Sequence, residues 1–237
     1  MGSRALFVAS AWLMLVGGAQ VPSQVLAAPR VPQVPVLGGG LQSYLDSQGE
    51  LIHVESEQNA IQRWGSNVNN NPTFTVQIEI RIKTPDVALG IYNAGDAAPA
   101  LYEIFPTVSG PGWFGVASFR SAPTRVVMNL FDDQAVFRGT TTYLGANRND
   151  FGYYLSGPGG TFYSQDSRNP GGSPQLLVFA GTGLNDGAWW LAFEDASLSG
   201  GGSDQDFDDT VLYIDYTPVC PCPVQKCDWS TLKSRFR

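Results

Sequence analysis

The sequence predicts an all-β chain, an antiparallel β-sandwich of jelly-roll-like kind with about ten strands. Three observations predict it. Residues 74–83 (FTVQIEIRIK) alternate apolar and polar side chains over ten positions, the period of a strand with one buried face. Short apolar runs then recur to residue 216, punctuated by Gly, Pro, Asn and Asp. Up to residue 217 helical periodicity is almost absent, and only residues 40–47 (GLQSYLDS) suggest a short helix. No repeat of solenoid length is visible.

Taken in chain order, residues 1–27 read as a secretory signal. Arg4 is their only charge, an apolar core of about a dozen residues follows, and Val25-Leu26-Ala27 suits cleavage. That core is shorter than the ~20 residues needed to span a bilayer, so a membrane span is not expected there or later in the chain. Residues 28–40 (APRVPQVPVLGGG) are Pro-rich and then Gly-rich, the composition of an extended linker. Residues 41–217 are expected to form the sandwich. Its strand candidates after 74–83 are 89–92, 101–105, 116–120, 125–131, 135–138, 151–155, 161–163, 176–180, 189–193 and 211–216, with Asp132-Asp133-Gln134 as a hairpin turn. Residues 218–237 form a Cys-rich and basic C-terminal tail.

Composition excludes several function classes. The 237 residues carry 14 Lys+Arg against 21 Asp+Glu, a net charge of -7, which disfavours nucleic-acid backbone binding. His53 is the only histidine, so His-rich zinc sites and most Ser-His-Asp arrangements lack their parts. His53, in Leu51-Ile52-His53-Val54, is expected at a strand or its edge in a structural role. The loop Ser156-Gly157-Pro158-Gly159-Gly160 is Gly-rich but lacks the lysine of a phosphate-binding loop.

The information is concentrated between Asp186 and Asp215, which hold eight acids and no Lys, Arg or His. Carboxylates this close repel one another, and removing them from water raises the cost. Here they sit between two apolar runs, Trp189–Phe193 and Val211–Ile214, with a Gly200-Gly201-Gly202 triplet that permits a tight path. Asp204, Asp206 and Asp208 fall at i, i+2 and i+4, a spacing found in loops that wrap a hard cation. Calcium suits such a loop, because it accepts six to eight oxygens in loose geometry. Glu194, Asp195 and Asp209 complete the candidate ligand set with those three. The EF-hand pattern fails, since Asp209 replaces the required Gly and Asp215 stands where Glu is needed. Two other readings stay open: the acids cap backbone amides and fix turns without metal, or two of them form an acid/base pair.

Phe193-Glu194-Asp195, Gly200-Gly201-Gly202, Asp204-x-Asp206-Phe207-Asp208-Asp209 and the strand Val211–Ile214 together resemble the signature of the bacterial family called "domain of unknown function 4114". Phe151–Leu155, Tyr163-Ser164 and Asn169-Pro170 resemble the stretch preceding that family's acidic loop. The specific resemblance covers about residues 145–217, with a looser one around Gly90–Asn93 reaching back towards residue 41. It implies an exported, β-rich surface module with a calcium-dependent acidic loop and no known catalytic activity. Asp208 stands where Asn is common, and the C-terminal residues lack the Pro-Glu-Pro motif of the PEP-CTERM sorting tail found in many members.

Cys220, Cys222 and Cys227 lie within eight residues. In an exported chain one disulfide is expected, with the third cysteine left over or paired between chains; free thiols and a three-thiolate metal site are the alternatives. Trp229, Leu232 and Phe236 with Lys233, Arg235 and Arg237 pattern as a short basic amphipathic helix, a packing element or a surface-attachment element. The functional expectation is a secreted or cell-surface, non-enzymatic module with a calcium-binding loop at 194–209, whose partner is an extracellular protein or glycan. Alternatives are a carbohydrate-binding or adhesion module using Trp64, Trp113, Trp189 and Trp190 as a stacking platform, and a hydrolase using a carboxylate pair.

Overall fold

The computed structural model describes residues 28–65 and 73–215. The signal-like segment 1–27, the three cysteines and the basic tail lie outside them. One helix, α1 (Gly40–Ser47), precedes eleven strands: β1 (Thr73–Lys83), β2 (Ala88–Asn93), β3 (Leu101–Phe105), β4 (Phe114–Ser121), β5 (Thr124–Phe131), β6 (Phe137–Leu144), β7 (Phe151–Gly157), β8 (Gly160–Tyr163), β9 (Leu176–Ala180), β10 (Ala188–Phe193) and β11 (Thr210–Asp215). They form two antiparallel sheets, a seven-stranded one in the order β6-β5-β4-β1-β11-β10-β9 and a four-stranded one in the order β3-β2-β7-β8. The chain is therefore an all-β antiparallel sandwich. It passes between sheets after β1, β3, β6 and β8, so the core is assembled from contacts distant in sequence.

The main core lies between the sheets. The alternation in β1 sends Phe74, Val76, Ile78 and Ile80 inward, where they join Leu89, Ile91, Phe119, Phe151, Leu155, Leu191 and Phe193. The Phe119 and Phe151 rings stack across the gap at 4.9 Å. At the centre of the large sheet β1 pairs with both β4 and β11, which accounts for its length, and its ladder with β11 shifts register between Ile80 and Ile82.

A second core lies on the outer face of that sheet. Leu177, Phe179, Trp190, Ala192 and Val211 point away from the first core and are covered by Val36, Leu41, Leu45, Ile52 and Val54. Burial on both faces explains why β9 (LLVFA) and β10 (AWWLAF) read as unbroken apolar runs rather than alternating ones. The linker expected at 28–40 is thus extended but not free. Val36 is buried, Leu37 N–H donates to the Gln205 carbonyl at 2.8 Å, and Arg30 pairs with Asp166 at 2.7 Å. Its prolines shape a strap over the sheet, and its apolar residues provide the attachment.

Beyond α1 the strap is held by Glu50, a buried carboxylate. It accepts hydrogen bonds from the Thr182 N–H and hydroxyl, Asn185 Nδ2 and Trp190 Nε1, all at 2.6–2.7 Å. A buried charge survives when its lone pairs are filled in this way.

Two local expectations are corrected. His53 is exposed and lies beside a turn, where its N–H donates to Glu57 Oε2 at 2.6 Å, not on a strand. The strand expected at 135–138 runs instead from Phe137 to Leu144. Ala135 takes a positive φ of 59° to close the turn, and Asp132 Oδ1 accepts from Gln134 and Val136 N–H. The Thr-rich half of β6 is an exposed edge, so it carries no apolar alternation to read.

Candidate metal centre

The acidic loop joins β10 to β11, neighbours in the large sheet. Their pairing brings Glu194, just past β10, close to the residues just before β11. Gln175 sets the first half of the loop. Its carbonyl accepts Glu194 N–H at 3.1 Å, its side-chain amide donates to the Ala196 carbonyl at 2.7 Å, and its Oε1 accepts from Leu198 N–H at 2.9 Å. Of the glycine triplet only Gly201 adopts a positive φ, 72°, and there the chain reverses.

In the second half the backbone alternates. Gln205 and Phe207 both take left-handed conformations, with φ of 62° and 54°. For a residue with a side chain this costs about 1–2 kcal/mol. Phe207 offsets the cost by burial, since its ring is fully enclosed in the outer core with Val36, Leu41 and Leu45. The alternation turns Asp204, Asp206 and Asp209 towards Glu194.

One carboxylate oxygen from each of Glu194, Asp204, Asp206 and Asp209 lies within 4.8 Å of the others. Such a group can hold a metal ion. Glu194 is only 1% exposed, and its Oε2 is buried without a hydrogen-bond partner. Burial pushes the Glu194 carboxyl up to about 8, the charges of Asp209 and Asp204 adding to the effect, while Ser203 and the Phe207 N–H oppose it. Asp209 is pushed up to about 6, first by burial and then by Asp195, Asp206 and Asp204, against the hydrogen bond it accepts from Asp195 N–H. The residues present fit a hard cation. The donors are all oxygens, no cationic side chain contributes to the electrostatics of Glu194 or Asp209, and Glu194 Oε2 is buried without a hydrogen-bond partner.

Asp195 and Asp208 do not join the four. Asp195 contributes its N–H, which donates to Asp209 Oδ2 at 2.9 Å. Asp208 donates its N–H to Asp206 Oδ1 at 3.1 Å, and its carboxylate turns to the start of α1, where a Cβ on Gly40 would collide with it. Burial raises the Asp208 carboxyl above the ordinary range, helped by Asp206 and Asp204. The physical reason for the split is the positive φ at Gln205 and Phe207, which breaks the simple i, i+2, i+4 progression.

Gln175, Ser203 and Thr84 carry supporting roles that the sequence did not signal. Thr84 Oγ1 donates to the Asp209 carbonyl at 3.1 Å, a contact across 125 residues that no local pattern encodes. The aromatic platform is not formed by the four expected residues. Trp64 and Trp190 are buried, the latter on Glu50, while Trp113 and Trp189 are partly buried against the main core.

Among the described residues no helix is long and apolar enough to cross a membrane. No family model, curated protein or solved structure matches this chain.

Proposed function

We propose that this chain is an exported, non-enzymatic surface or extracellular module whose acidic loop binds calcium. The observation that carries the cation site is the convergence of Glu194, Asp204, Asp206 and Asp209 around a buried, unpartnered Glu194 oxygen. Calcium is favoured over magnesium because the ligands come from an irregular loop, and calcium tolerates variable geometry where magnesium demands a near-ideal octahedron. Export is supported by the signal-like pattern of residues 1–27 and by the resemblance of the 193–214 motif to an exported family. The ion's role is structural. Its double positive charge offsets the repulsion among the convergent carboxylates and fixes the β10–β11 connection, and the sandwich then presents rigid loops to an extracellular protein or glycan.

The test is thermal unfolding of the protein in calcium, in magnesium and in chelator. At a free ion concentration of 100 times Kd, binding to the native state adds about 2.7 kcal/mol, or roughly 5–10 °C for a domain of this size. Asp206→Asn combined with Asp209→Asn removes that shift. Coincident melting curves in calcium and chelator exclude the site.

A further inference from the structure

The acidic loop has two faces. One carries the convergent carboxylates. The other holds the strap that covers the outer sheet face. Phe207, between Asp206 and Asp208, is fully enclosed by strap and sheet residues, among them Val36, Leu41 and Leu45. The Gln205 carbonyl accepts Leu37 N–H at 2.8 Å. The Asp206 Cβ lies 4.0 Å from the position a Cβ would take on Gly38, and the Asp208 carboxylate packs against Gly40 at the start of α1. Residues 205–208 therefore touch the strap, while residues 204, 206 and 209 reach the carboxylate cluster. The two sets interleave along six residues, so neither face can shift without the other.

We propose that cation occupancy of the Glu194/Asp204/Asp206/Asp209 cluster controls the docking of residues 34–47 on the outer face of the large sheet. The proposal rests on the cation-binding reading above and adds a consequence to it. With the ion bound, the carboxylates are drawn together, the left-handed conformations at Gln205 and Phe207 are held, and Phe207 pins the strap. Without it, repulsion among the convergent carboxylates opens the loop and withdraws Phe207. Residues 34–47 then loosen from the face formed by Leu177, Phe179, Trp190 and Val211. The Glu50 cluster with Thr182, Asn185 and Trp190 holds the distal end of the strap independently of the ion, so the opening is local and confined to the half next to the loop.

Hydrogen–deuterium exchange of the full chain, read by mass spectrometry over residues 34–47 with calcium or chelator, tests the coupling. A calorimetric titration with calcium is run on the same sample. Exchange over 34–47 should slow by roughly tenfold or more in calcium, while residues around Glu50 change little. In Phe207→Ala calcium should still bind, with lower affinity because coupling is reciprocal, and 34–47 should exchange fast in both conditions. Phe207→Leu, which keeps an apolar anchor, should restore a calcium-dependent difference. If the wild-type chain binds calcium and exchange over 34–47 is unchanged, the coupling is wrong and the cation site stands. If calcium does not bind, both fall.

Discussion

Replacing Glu194 with Gln should make the metal-free protein more stable at alkaline pH, while abolishing stabilisation by calcium. Glu194 is 1% exposed, and burial pushes its folded carboxyl up to about 8 from the ordinary 4.5. A carboxyl whose folded value is raised contributes full stability below its unfolded value and loses it as pH rises through the folded one. The metal-free wild type should therefore weaken progressively between about pH 4.5 and 8. Each pH unit between the two values corresponds to about 1.4 kcal/mol, which sets an upper limit of about 5 kcal/mol. Relaxation of the loop and sharing of the proton with Asp209 reduce this to roughly 2–4 kcal/mol. Gln keeps the size of the side chain and cannot ionise. In chelator at about pH 8.5 it should raise the melting temperature by roughly 5–10 °C, and at about pH 5 the two proteins should melt alike. In saturating calcium at the higher pH the gap should close, because the wild type gains the ion and the variant loses a ligand. Melting curves for both proteins at the two pH values, with and without calcium, supply the measurement. A variant that melts lower than wild type in chelator at the higher pH would refute the claim that Glu194 is a buried, uncompensated charge.

Further consequences can be measured with the same unfolding assay. Gly40→Ala places a methyl group against the Asp208 carboxylate and should cost about 1–3 kcal/mol; combined with Asp208→Ala it should recover much of the loss. Glu50→Ala strands the Thr182, Asn185 and Trp190 donors and should cost about 3–5 kcal/mol, with near-ultraviolet dichroism reporting the change around Trp190. Asp208→Asn should preserve most of the calcium-induced shift, because its carboxylate faces α1 rather than the four convergent oxygens, whereas Asp209→Asn should remove most of it.

The strands were largely legible because the sandwich is built from strands whose faces differ in polarity. β1 declares itself through ten alternating positions, and the Asp132 turn through its residue types. The exceptions have particular causes. β9 and β10 show no alternation because a strap buries their second face. β6 shows none because Thr140, Thr141 and Thr142 line an exposed edge that needs no apolar partner. His53 sits in a short apolar run that packs on the sheet through Ile52 and Val54 without joining it.

Charge density was enough to locate the acidic loop by sequence alone, since eight acids without a cation between Asp186 and Asp215 require either water or an ion around them. Local patterning also determined the all-β class, because a period of two is a property that each segment carries by itself. Which carboxylates converge was decided by the tertiary structure. Strand pairing of β10 with β11 sets Glu194 opposite residues 204–209, and left-handed backbone at Gln205 and Phe207 sends Asp209 inward and Asp208 towards α1. The docking of the proline-rich strap was likewise invisible in sequence, because it depends on a sheet face assembled from residues more than a hundred positions away. Local periodicity records how a segment divides its own faces; only the assembled sheet determines what each face meets.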